Sequence, residues 1–211
     1  MLHYHRAIGA PLWATSEGNH KRHELALLFF KERAMGIDIT AYSKVKKLDC
    51  NYDDDGEPVS KATGEPVDFG FLANVNTDFP GRNGSLEAGA AYDFEKRVVG
   101  MDCGYGAYNG WRNQLAALAG WPAVEYKRYS TVELRHDAAA WAASEGPFWE
   151  LITFTDCDGI IGAEVAAKLH KDFKQFAEKA AQHDDEWFRE NYASMSAAFE
   201  LAADEGAVRF H

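Results

Sequence analysis

The chain has 211 residues, 46% of them hydrophobic and 13% aromatic, which supplies one sizeable core and excludes wholesale disorder. Its 22 basic residues stand against 33 acidic ones, a net charge of -11, and a field of that sign disfavours sequence-independent binding to nucleic-acid backbones. The acidity reads either as a solvated surface or as an acidic face that meets a basic partner by imitating nucleic acid.

Residues 1–34 differ from the rest. They hold four of the eight histidines (His3, His5, His20 and His23) and show no strand alternation, only one helical pattern over 23–33. The longest apolar run there, Leu25 to Phe30, is far short of the ~20 residues that span a bilayer. Lys31-Glu32-Arg33 is a tripeptide that a purine-rich ribosome-binding sequence encodes, and Met35 follows it at start-codon distance. The reading is a non-core extension over 1–34 and a single domain over 35–211. On that reading His20-x-x-His23 is an accidental metal-like pair.

From Ile37 to Val45, apolar Ile37, Ile39, Ala41 and Val45 alternate with polar residues, as in a half-buried strand. A turn-rich arm follows, with Gly-Glu-Pro-Val at 56–59 and again at 64–67. Residues 69–75 and 92–101 read as further strands, with a loop over 76–89 between them. Gly104 to Gly110 reads as a glycine loop with Asn109 as the cap of a helix bearing Trp111, Leu115 and Leu118 on one face. A short helix is expected over 137–144 and a buried strand over 148–154. The helix stripes Val165, Leu169, Phe173, Phe176, Ala180 and Phe188, Tyr192, Met195, Phe199, Ala202 follow. Phe173 and Phe199 should be the most buried, Gly206 should end the second helix, and Val208 to Phe210 should add an edge strand. Strands early and helices late predict an α+β domain, a mainly antiparallel sheet covered by two long C-terminal helices.

Four constellations bear on chemistry. Asn51-x-Asp53-x-Asp55-Gly56 opens like a calcium loop, but Ala62 stands where the bidentate glutamate belongs, so an acidic turn is the better reading. The second is Tyr105, Tyr108, Asn109, Trp111 and Arg112, which place rings, an amide and a cation where a helix N-terminus favours an anion. The glycine spacing there fits neither a phosphate loop nor a dinucleotide fingerprint, and no cofactor is expected. Third, Asp102, Asp156, Asp158 and Glu164 are a candidate carboxylate set for a divalent metal, although Asp158 also suits a helix cap. Fourth, no nucleophile-histidine arrangement accompanies His136, His170, His183 or His211. Cys50, Cys103 and Cys157 lack zinc-ligand spacing and read as buried thiols of a reducing compartment, placing the protein in the cytoplasm.

The segments Met35-Gly-Ile-Asp-Ile-Thr-Ala-Tyr-Ser, Tyr108-Asn-Gly-Trp-Arg-Asn-Gln-Leu-Ala and Phe148-Trp-Glu-Leu-Ile-Thr-Phe-Thr-Asp-Cys-Asp-Gly-Ile-Ile-Gly, with Phe199-Glu-Leu-Ala-Ala-Asp, resemble a group of uncharacterised phage and prophage proteins. The resemblance carries no activity and implies a binder that blocks a host component. The resulting expectation is a non-enzymatic protein that engages a host protein or sequesters a small anionic ligand through 104–112 and the acidic turn at 156–158. The alternative is a metal-dependent hydrolase built on the four carboxylates.

Overall fold

The computed structural model describes residues 36–211 other than 129, so the expectations for 1–34 lie outside the described residues. Strand β1 (Gly36–Ser43) is the axis of the fold, with β2 (Lys46–Lys47), β3 (Asn51–Tyr52), β4 (Pro58–Val59), β5 (Phe71–Leu72), β6 (Ala91–Asp93) and β7 (Lys96–Gly104) after it. Helix α1 (Tyr105–Leu118) leads to the hairpin β8 (Val124–Arg128) and β9 (Thr131–Arg135). Short helices α2 (Asp137–Trp141) and α3 (Trp149–Ile152), strand β10 (Gly159–Gly162), long helices α4 (Ala163–Ala181) and α5 (Glu186–Ala202), and β11 (Ala207–Phe210) complete the chain. The main sheet is antiparallel in the order β10-β11-β1-β7, and a smaller sheet has the order β2-β6-β5. This is the expected α+β domain.

The alternation in β1 does what its period predicts. Ile37, Ile39 and Ala41 are fully buried under the helical layer, while Tyr42 on the opposite side stacks on Phe71 of β5 at 4.6 Å. Helix α5 seats closely on β7: a Cβ at Gly100 would stand 3.0 Å from Met195 Sδ and 3.1 Å from the Ala198 Cβ. The β1–β7 register shifts between Ile39 and Thr40, opposite that glycine. Phe173 and Phe199 are both 0% exposed and stack at 5.6 Å where α4 meets α5.

Three local expectations are corrected. The apolar run 148–154 is buried, but it forms α3 rather than a strand. Phe148 adopts φ 56°, and buried Asp172 of α4 accepts its amide at 2.7 Å and the Lys168 ammonium at 2.8 Å. A short apolar run fits a buried helix as well as a buried strand, and the carboxylate behind it decides. Strand β11 is an interior strand between β10 and β1, not an edge, because β10 covers its far side. Helix α5 ends with Glu205 in the left-handed region at φ 51°. Gly206 matters instead for close approach, since a Cβ there would lie 2.0 Å from the Tyr42 carbonyl oxygen.

The arm at 51–67 folds on itself. Asp53 Oδ1 accepts the amides of Asp55 at 3.0 Å and Glu57 at 2.8 Å, so that side chain closes an acidic turn. The two Gly-Glu-Pro-Val copies meet through a Val59–Pro66 bridge. The 76–89 loop is anchored by Arg82, whose guanidinium lies 4.3 Å over the Trp149 ring and donates to Glu150 O and Thr153 Oγ1.

Candidate functional site

Strand β7 runs directly into α1. Gly104, at φ -65° and ψ 148°, is the cap, so the expected glycine loop is absent and Asn109 lies in the helix interior. Gly106 and Gly110 are helical and exposed, and a side chain at either would meet nothing within 4 Å. Flanking β7 and the buried face of the helix override the glycines' weak helix propensity.

Helical spacing then separates the five expected site residues. Tyr108 and Trp111 turn inward, both 0% exposed, with their rings 6.3 Å apart and Tyr108 also near Phe210. Tyr105 is partly buried against the same core. Tyr108 and Trp111 are therefore core side chains, not a ligand surface. Burial also raises the Tyr108 phenol pKa. Arg112, one turn on from Tyr108, and Asn109, on the flank of the buried face, line a cavity of about 420 Å³.

The other walls of that cavity are β8–β9 (Tyr126, Arg135), α2 (Asp137, Ala138, Trp141) and Asp156. Its polar wall converges on Asn109. The Asn109 Nδ2 donates to Asp156 Oδ2 at 2.9 Å, its Oδ1 accepts Arg112 Nη2, and its carbonyl accepts Arg135 Nη2 at 3.3 Å. Arg112 is only 6% exposed; its Nη1 donates to the carbonyls of Ile152, at 3.2 Å, and Phe154, and its guanidinium lies 4.6 Å over the Tyr108 ring. Arg135 forks onto Asp137, with Nε 2.8 Å from Oδ1 and Nη2 2.5 Å from Oδ2, which holds its guanidinium pKa above the ordinary value. Asn113, one position past Arg112, accepts the amides of His136 at 2.7 Å and Asp137 at 3.3 Å. Helix α2 has no side-chain cap of its own, so α1 supplies one and thereby fixes Asp137.

Two guanidiniums and two carboxylates thus balance in the polar wall. Above them stand the half-exposed rings of Tyr126 and Trp141, at 44% and 53%. Arg135 lies 5.8 Å from the Tyr126 ring centre.

The carboxylate set does not form one centre. Among the described residues no three His, Cys, Asp or Glu side chains gather where they could share a metal ion. Asp156 is tied to Asn109, and Asp102 belongs to β7. Asp158 is exposed, and Glu164 is exposed in the first turn of α4 beside Gly84. Asp158 is not a helix cap either, because β10 intervenes and Gly162 caps α4. Cys157 is exposed rather than buried, while Cys50 and Cys103 are half-buried.

Sequence reading missed Tyr126, Arg135, Asp137 and Trp141 as site residues. The hairpin carrying the first two had a legible signal: two five-residue runs of period-two alternation joined by two residues. The Arg135–Asp137 pair had none, since charges two apart are ordinary on any surface.

The chain matches no protein-family model, no curated protein and no solved structure. Among the described residues no helix is long and apolar enough to cross a membrane.

Proposed function

We propose that this protein is a binding protein whose site is the cavity around Asn109, taking a small, flat, polar ligand. The observation that carries the reading is the convergence of Arg112, Arg135 and Asp156 on Asn109, beneath two half-exposed aromatic rings. Ligand pockets typically combine an aromatic wall with a few fixed polar groups and start at ~300 Å³, a range that includes this cavity. The polar groups are held by one another, so they are positioned before any ligand arrives. The charges in the wall cancel, which favours a neutral or zwitterionic ligand over the anionic one expected at the helix N-terminus. The phage or prophage setting rests on the sequence motifs alone.

A protein partner is the second reading. It is favoured by Val132 and Leu134 on β9, which are 61% and 67% exposed.

Amide-resolved NMR titration with a library of small heterocycles tests the first reading. Shifts should cluster at Asn109, Arg135, Asp137 and Trp141. Shifts confined to Val132 and Leu134, or none at the cavity for any compound, would remove it.

A further inference from the structure

The unspent hydrogen-bonding capacity of the cavity is specific. Asp156 uses Oδ2 on Asn109, and its Oδ1 makes no hydrogen bond among the described residues. Arg135 spends Nε and Nη2 on Asp137 and Asn109, and among the described residues its Nη1 has only Glu133 Oε1, at 3.7 Å, beyond hydrogen-bond distance. Arg112 is largely committed, to two carbonyls and Asn109. What remains for a ligand is the Asp156 carboxylate, with Oδ1 free and a second lone pair on Oδ2, and the Arg135 Nη1 donor, both anchored on the same asparagine, with the rings of Tyr126 and Trp141 lining the same cavity.

Building on the pocket reading above, we propose that the cavity takes a guanine base, free or as its nucleoside. The two carboxylate oxygens suit an edge with two adjacent N–H donors, and the one guanidinium nitrogen left suits an acceptor beside them. Guanine carries both: N1–H and the 2-amino group for the carboxylate, and O6 next to them for the guanidinium. Adenine sets the N1 lone pair against the carboxylate and lacks O6. Hypoxanthine keeps N1–H, O6 and N7 but loses the 2-amino group. Phosphates add nothing, because Arg135 is paired with Asp137, Arg112 is spent on carbonyls and Asn109, and the chain carries a net charge of -11.

Isothermal titration of the full chain with guanosine, inosine, adenosine and GTP is the test. Guanosine should bind saturably, inosine about ten- to a hundredfold more weakly for one lost hydrogen bond to a charged group, adenosine not measurably, and GTP no more tightly than guanosine. Asp156→Asn should erase the preference for guanosine over inosine, with circular dichroism confirming that the variant is folded. The nucleoside series on the unaltered chain decides the matter even where the variant does not fold. No saturable guanosine binding at millimolar concentration, or equal binding of adenosine, overturns the guanine assignment. NMR mapping separates the two failures: heterocycles that still shift Asn109 and Trp141 leave the pocket reading standing, whereas guanosine-induced shifts elsewhere overturn both.

Discussion

The sheet with its two long helices and the region around Asn109 are held together by opposite means. In the first, Ile37, Ile39, Phe173, Met195, Phe199 and Val208 are fully buried, and aromatic rings meet at 4.8 to 5.6 Å. In the second, a two-stranded hairpin belonging to neither larger sheet is fixed by Arg135, Asn109 and Asn113 through hydrogen bonds and one forked ion pair. An isolated hairpin is marginal in water, so this polar clasp is what keeps Tyr126 and Arg135 at the cavity. The apolar region derives its stability from area removed from water, and the polar region derives its geometry from satisfied donors and acceptors.

The largest test of that contrast is in the apolar region. Phe173→Ala and Phe199→Ala should each lower unfolding free energy by ~3–5 kcal/mol in chemical denaturation, because each vacates a filled site. A loss below ~0.5 kcal/mol would place these side chains on a surface and collapse the distinction.

Next comes the polar region, where burial should set the scale. Arg112→Met strands the carbonyls of Ile152 and Phe154 together with Asn109 Oδ1, and should cost ~2–4 kcal/mol in the same denaturation assay. Arg135→Gln loosens a forked pair nearer the surface, with side chains 19% and 12% exposed, and should cost less, ~1–2 kcal/mol. Equal losses in the two variants would show that depth does not order this network.

The smallest effect tests the seam between the regions. Tyr108 is fully buried, its hydroxyl makes no hydrogen bond among the described residues, and its pKa is raised above the ordinary phenol value near 10. The native state therefore holds that proton more tightly than the unfolded chain does. The contribution is complete below pH ~10 and falls by about 1.4 kcal/mol per pH unit as pH climbs toward the folded-state value. Tyr192 is raised in the same direction, so the informative quantity is a difference. Tyr108→Phe should match or exceed wild-type stability at neutral pH and decline less steeply above pH ~10 in paired melts. Parallel declines would mean that the phenol is not buried as described.

Much of the apolar region is legible in the sequence. The period-two pattern of Ile37, Ile39 and Ala41 and the stripes through Phe173 and Phe199 record which side faces away from water. The candidate site is legible only in part. Asn109 and Arg112 stand out as parts of a glycine loop and a helix cap, yet they reach the cavity because α1 starts five residues earlier and turns Tyr108 and Trp111 inward. The carboxylate set fails because strand and turn positions near in sequence need not point at one place, and Glu164 sits beyond an entire strand from Asp156.

Composition and local periodicity suffice for the class of fold, the burial of the two helix stripes and the acidity of the chain. These follow from side-chain hydrophobicity and charge summed over short stretches, which each segment carries wherever it goes. It took the folded arrangement to make β11 an interior strand, to turn 148–154 into a helix, and to gather Arg112, Arg135 and Asp156 on Asn109. Each of these depends on partners far along the chain: Asp172 beneath Phe148, β10 beside β11, and Asp156 and Arg135 at Asn109. Hydrogen bonds are short-ranged and directional, so which groups satisfy one another is set by where the folded backbone brings them.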